Sequence, residues 1–283
     1  MSTDSARSPP AGGPAPAPSP AHAGPKARIL AITSGKGGVG KTFVAANLAA
    51  ALVRQGRRVL VLDADLGLAN LDVVLNLAPK VTLHDVFTGK TALDDAVLPA
   101  PGGFSVLLAG SGLVEYSRLT SEVRDQLLKI VETLTPRYDH ILLDTGAGIS
   151  DVVLFAVSLA HEVLVVATPE PTSMTDAYAT IKVLATQQQR RDIRLVVNQA
   201  SRVGEGRALR AQLQKVVDQY VTPLVASPTD GDPAQPVRLD LLGEIPIDPA
   251  VREAVQKRRL LLELLPGCPA AQAVGAIATR LLA

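Results

Sequence analysis

The chain of 283 residues is 47% hydrophobic and carries a formal net charge of +1, with 28 Lys/Arg against 27 Asp/Glu. That balance suits one soluble α/β domain with a substantial core and excludes the large footprint of a strongly basic nucleic-acid binder, leaving a local basic patch open. Cys268 is the only cysteine, which excludes an intramolecular disulfide or a cysteine-built zinc site and points to a reducing cytoplasm; no apolar run is long enough to span a membrane, and the N-terminus has no apolar signal core.

Residues 1–26 are rich in Pro, Ala, Gly and Ser and have almost nothing to bury, so they read as a disordered tail ahead of a folded domain at 27–283. From Ala27 onward, apolar runs alternate with helical patterns, the arrangement of a mainly parallel, doubly wound sheet with helices on both faces. Strands are expected at 28–33, 58–63, 104–109, 140–144, 162–168, 193–198 and 238–242. Val123, Leu127, Ile130, Val131 and Leu134 recur at helical spacing, and 222–236, with four prolines, reads as a surface loop.

After the first strand comes Gly35-Lys36-Gly37-Gly38-Val39-Gly40-Lys41-Thr42, followed by a helix expected at 43–53. This fits GxxxxGK[ST] in its strand–loop–helix setting and marks a nucleoside triphosphate site. Glycines let backbone amides curl around an anion at a helix N-terminus, Lys41 reaches the terminal phosphates, and the Thr42 hydroxyl holds magnesium. The second expected strand ends in Asp63-Ala64-Asp65, at the edge where open α/β sheets bind ligands. There Asp63 can act on magnesium through its water shell, and Asp65 can orient the water that attacks the terminal phosphate. Asp144 ends a third strand ahead of Thr145-Gly146-Ala147-Gly148, the pattern of a magnesium-linked aspartate before a phosphate-sensing loop.

These segments together resemble the MinD/ParA-type ATPases with a deviant phosphate loop, whose marker is the extra lysine, here Lys36. The resemblance implies ATP and magnesium as ligands, slow hydrolysis, and an ATP-dependent homodimer in which Lys36 reaches the other subunit's phosphates. Within the family, the stretches 63–72, 144–149 and 168–173 are most similar to the flagellar-number regulators of the FlhG/FleN type; division-site members usually have Ser-Pro at Thr145-Gly146. A flagellar GTPase or a transcription activator is then the implied partner, although the Asp-Gln-Ala helix that often opens flagellar members is absent from 1–26. A ParA-type partitioning ATPase and a MinD-like division-site ATPase are the alternatives.

Asn198, at a strand end, can offer a donor and an acceptor to an adenine edge, as family members do, and Pro246 and Ile247 can supply apolar walls on the base side. Asp248 before Pro249 reads as a helix cap. Val274, Ile277, Ala278 and Leu281 form one apolar stripe in a last helix that reads as packed on the domain. Lys257-Arg258-Arg259 before three leucines reads as a solvated helix end, with peripheral contact to the inner face of the cell membrane left open. His22, His84, His140 and His161 have no metal-ligand spacing.

Overall fold

The computed structural model describes residues 26–67, 70–110, 119–225 and 235–283. Among the described residues there are eight strands: β1 (Arg28–Ser34), β2 (Val59–Ala64), β3 (Val97–Pro99), β4 (Ser105–Leu107), β5 (His140–Ala147), β6 (Glu162–Ala167), β7 (Asp192–Ala200) and β8 (Arg238–Pro246). They form one sheet in the order β3-β4-β2-β5-β1-β6-β7-β8, parallel throughout except for β3 against β4. Such strands are covered on both faces, which is why β1 and β2 read as unbroken apolar runs.

The helices are α1 (Lys41–Arg54), α2 (Leu71–Leu75), α3 (Leu83–Phe87), α4 (Leu93–Ala96), α5 (Ser121–Leu134), α6 (Asp151–Ser158), α7 (Pro171–Gln187), α8 (Glu205–Tyr220), α9 (Thr222–Val225), α10 (Pro249–Gln256), α11 (Leu261–Leu264) and α12 (Pro269–Leu282). Period-two alternation sorts the strands between two cores. Leu30, Ile32, Val59, Val61, Leu142, Leu164 and Val196 face α1, α11 and α12. Their neighbours Ile29, Ala31, Leu60, Leu62, Ile141, Leu143 and Leu195 face α5 to α8. The alanines of α1 let it lie close to the sheet, and its buried Asn47 accepts from Leu262 N at 3.3 Å, tying α11 to it.

The expected strands are present, with β1, β5, β7 and β8 running longer than expected, so that Asp144 lies inside β5 and not at its end, β2 shifted by one residue, and β4 and β6 shorter; β3 joins them as a short antiparallel edge. Its three residues fall below what periodicity can resolve. The expected loop at 222–236 opens instead with the single turn α9; Val221 before it and Val225 at its end are buried, so packing overrides the prolines. The rest of that loop to 234, and the expected tail up to residue 25, lie outside the described residues. On α12 the stripe of Val274, Ile277, Ala278 and Leu281 is buried, as expected. Leu260, Leu261 and Leu262 are buried too, so these leucines form core beneath the basic run.

Asp248 does more than the sequence suggests. Its Oδ1 accepts from Ala250 N (2.9 Å) at the start of α10, and its Oδ2 accepts from Ala270 N (3.1 Å) at the start of α12. Burial pushes its carboxyl up, but the Ala270 and Ala250 amides outweigh that and hold it below the usual aspartate range. The contribution is therefore complete above the ordinary aspartate pKa and lost as pH falls through the lowered folded value. Asp248→Ala should destabilise the protein by about 1–2 kcal/mol, the scale of losing helix caps. Urea denaturation at neutral pH checks this, with Asp248→Asn expected in between.

Candidate nucleotide and magnesium site

The loop from Gly35 to Thr42 leaves β1 and enters α1 at the C-terminal edge of the sheet, where Gly40 is the N-cap in a left-handed conformation (φ 92°). Neighbouring elements hold it from outside. Gly148 N donates to Ser34 O at 2.8 Å, and Ser34 Oγ donates to Lys36 O at 2.7 Å. Gly35 lies so near α7 that a Cβ there would be 2.1 Å from the Asp176 carbonyl oxygen. Gly37, Gly38, Gly40, Lys41 and Thr42 line a cavity of about 650 Å³, a size suited to a nucleotide.

β2 and β5 run in register, pairing Asp63 with Asp144 and Ala64 with Thr145. Both carboxylates therefore point to the α1 face, at 2% exposure each. Burial pushes Asp144 up to about 7, against the Thr42 hydroxyl and the Lys41 ammonium, which stabilise its charge. Asp63 is raised well above the usual range by burial and by Asp144, although its Oδ1 accepts from Asp65 N at 3.2 Å. Lys41, also buried, is lowered by desolvation, with Asp144 and Asp65 pulling the other way. Asp65 lines the cavity beside Gly146.

Magnesium and a triphosphate fit these residues. Oδ1 of Asp144 is buried without a hydrogen-bond partner, and the Thr42 hydroxyl stands at the same strand edge, where it donates to Asn70 Oδ1 at 3.1 Å. Among the described residues no three His, Cys, Asp or Glu side chains converge as a direct metal cage. That donor set suits an ion held through water and phosphate oxygens, as magnesium prefers. Asn70 lies inside the quoted 63–72 stretch, but nothing in its spacing marked it as a partner of Thr42.

The remaining expected residues stand around this centre. Lys36 turns from its own cavity, its Nζ donating to Glu170 Oε2 (3.1 Å) and Thr172 Oγ1 (3.0 Å) at the start of α7. Val39 is buried at the loop's turn. Asn198 lies behind the loop, where its Nδ2 donates to Val39 O at 2.8 Å, a contact the sequence does not foretell. Pro246 is half-buried and Ile247 is 65% exposed, at the end of β8 and outside the phosphate cavity.

Residues 26–282 match the ParA family model, described as NUBPL iron-transfer P-loop NTPase. The chain belongs to the ParA family of P-loop NTPases. It is 43% identical over 253 residues to antiactivator FleN of Pseudomonas aeruginosa, covering 89% of this chain and 85% of that one. To the flagellum site-determining protein YlxH of Helicobacter pylori it is 32% identical over 257 residues, covering 90% and 82%. Septum site-determining protein MinD of Pyrococcus horikoshii, solved with Mg-ADP, superposes with a TM-score of 0.70 at 28% identity over 90% of this chain and 96% of that one. As a member of this ParA/MinD family, the chain is an ATP hydrolase.

The contact between Gly35 and α7 supplies a test of how the loop is held. Gly35→Ala should cost about 1–3 kcal/mol of stability by overpacking, because the obstructing atom is backbone. Chemical denaturation checks it, and a variant as stable as the wild type would mean that α7 yields freely.

Proposed function

We propose that this ATPase is a magnesium-dependent switch that dimerises with ATP, separates after hydrolysis, and sets flagellar number or placement. The observation that carries the reading is the identity to antiactivator FleN over most of both chains. Likeness to a flagellum site-determining protein supports the same role. Lys41 and the loop amides hold the phosphate charge, Thr42, Asp63 and Asp144 hold magnesium, and bound magnesium supplies charge neutralisation between the phosphates. Asp65 orients the attacking water, while Asn198, Pro246 and Ile247 face the base.

Lys36 is the residue that acts across the dimer, a reading supported by its turn away from its own cavity and its 40% exposed side chain. The partner is a flagellar GTPase or a transcription activator, met in the cytoplasm or at the inner face of the membrane. Among the described residues no helix is long and apolar enough to cross a membrane. The exposed Arg252, Arg258 and Arg259, beside Lys257 paired with Glu253, favour a second reading as a DNA-partitioning ATPase. Salt-dependent retention on DNA separates the two.

Magnesium-dependent phosphate release tests the assignments directly. Lys41→Ala should lose nucleotide binding, whereas Asp65→Ala should keep ATP and lose turnover by about 10²–10⁴-fold, the range for a group that manages the attacking nucleophile. Equal loss of binding in both variants would contradict these roles.

Dimerisation gives a second test. The Asp65→Ala protein loaded with ATP should run as a dimer in light scattering, and adding Lys36→Ala should return it to monomer. Lys36→Ala alone should keep nucleotide affinity and lose roughly 10³–10⁵ in rate, the scale of a cation supplied in trans. A dimer that persists in the double variant would remove Lys36 from the interface.

A further inference from the structure

Asn198 is 7% exposed, and backbone engages both ends of its amide. Nδ2 donates to Val39 O at 2.8 Å, and Oδ1 accepts from Gln199 N at 2.9 Å. Gly40 follows at φ 92°, where a Cβ would lie 2.4 Å from Asn198 Nδ2. Gln199 adopts φ 57°, a left-handed conformation rare for a residue with a side chain. The end of β7 is thus shaped to present this amide to the loop.

A phosphate loop works by turning its N–H groups inward, which turns carbonyls outward toward the protein. Val39 is 3% exposed, so its outward carbonyl needs a donor from the protein, since a buried carbonyl left unpaired is costly. Asn198 is that donor. We infer that Asn198 is a positioning residue for the phosphates, its amide bracing the loop at Val39 and Gly40 so that the loop's shape is set from the base-side strand whatever base is bound. One N–H and one lone pair of the amide stay available to a base, so the brace and a base contact are compatible. The inference rests on the nucleotide-site reading above.

The test uses a ligand without a base. In the full chain, Asn198→Ala and the shorter but polar Asn198→Ser should each weaken binding of magnesium tripolyphosphate by roughly tenfold, the scale of leaving a buried carbonyl unpaired. Hydrogen exchange in the nucleotide-free protein should rise at the amides of 35–42 and at Gln199, which loses its Oδ1 acceptor, and stay unchanged elsewhere. Tripolyphosphate affinity within about twofold of wild type, even with ATP weakened, would restrict Asn198 to the base and overturn the proposal. Exchange that rises throughout the chain would overturn it as well, by marking general destabilisation. Wild-type protein that binds neither tripolyphosphate nor ATP would instead overturn the nucleotide-site reading, and the proposal with it.

Discussion

Strand parity is the constraint on which the site depends. A strand sends alternate side chains to opposite faces, so once Val61 and Leu142 pack toward α1, Asp63 and Asp144 must follow them. The same parity carries Val196 and then Asn198 to that face, under the loop that begins α1. A slip of one residue in β2 or β5 would send its carboxylate to the α5–α8 side, away from Lys41. The hydrophobic alternation that stabilises the sheet therefore also assembles the chemistry.

The price of that assembly is a cluster of three carboxylates and one ammonium at a partly dehydrated edge. Burial raises Asp63 and Asp144 and lowers Lys41, so each would hold its charge less readily alone. Attraction between Lys41 and Asp144 offsets only part of this, repulsion from Asp144 and Asp65 adds to it at Asp63, and a bound cation would offset more. A centre that is uncomfortable by itself is tuned to ligand, and the apolar cores on both faces of the sheet supply the stability that it lacks.

The loop is shaped from outside as much as by its own glycines. Contacts from β5, α7 and β7 meet it at Ser34, Gly35 and Val39, elements more than a hundred residues away in the chain. Lys36 is its exception: the side chain leaves the cavity for the two polar groups at the start of α7. Its contacts are half-exposed, and an exposed ion pair of this kind contributes little and exchanges readily. A loop braced from outside and bearing one releasable cation would suit the proposed ATP-dependent dimerisation switch.

The sequence alone determined the layered α/β architecture, the phosphate loop, and Asp63 and Asp65 at the end of β2, because each is written in local order: apolar runs, glycine spacing, a charge closing a strand; Asp144 it placed at the end of a strand that instead runs on to Ala147. It also determined the packed last helix and the Asp248 cap, both legible from nearest neighbours along the chain. Only the tertiary structure decided that Asp63 and Asp144 lie side by side, that Asp248 caps a second helix 22 residues on, that Lys36 rests on Glu170, and that Asn198 holds Val39. The strand β3 and the turn α9 were likewise decided by packing, being too short for a periodicity to show. Local chemistry is encoded in adjacent residues, whereas register, parity and the pairing of distant amides come into being only when the sheet closes around α1.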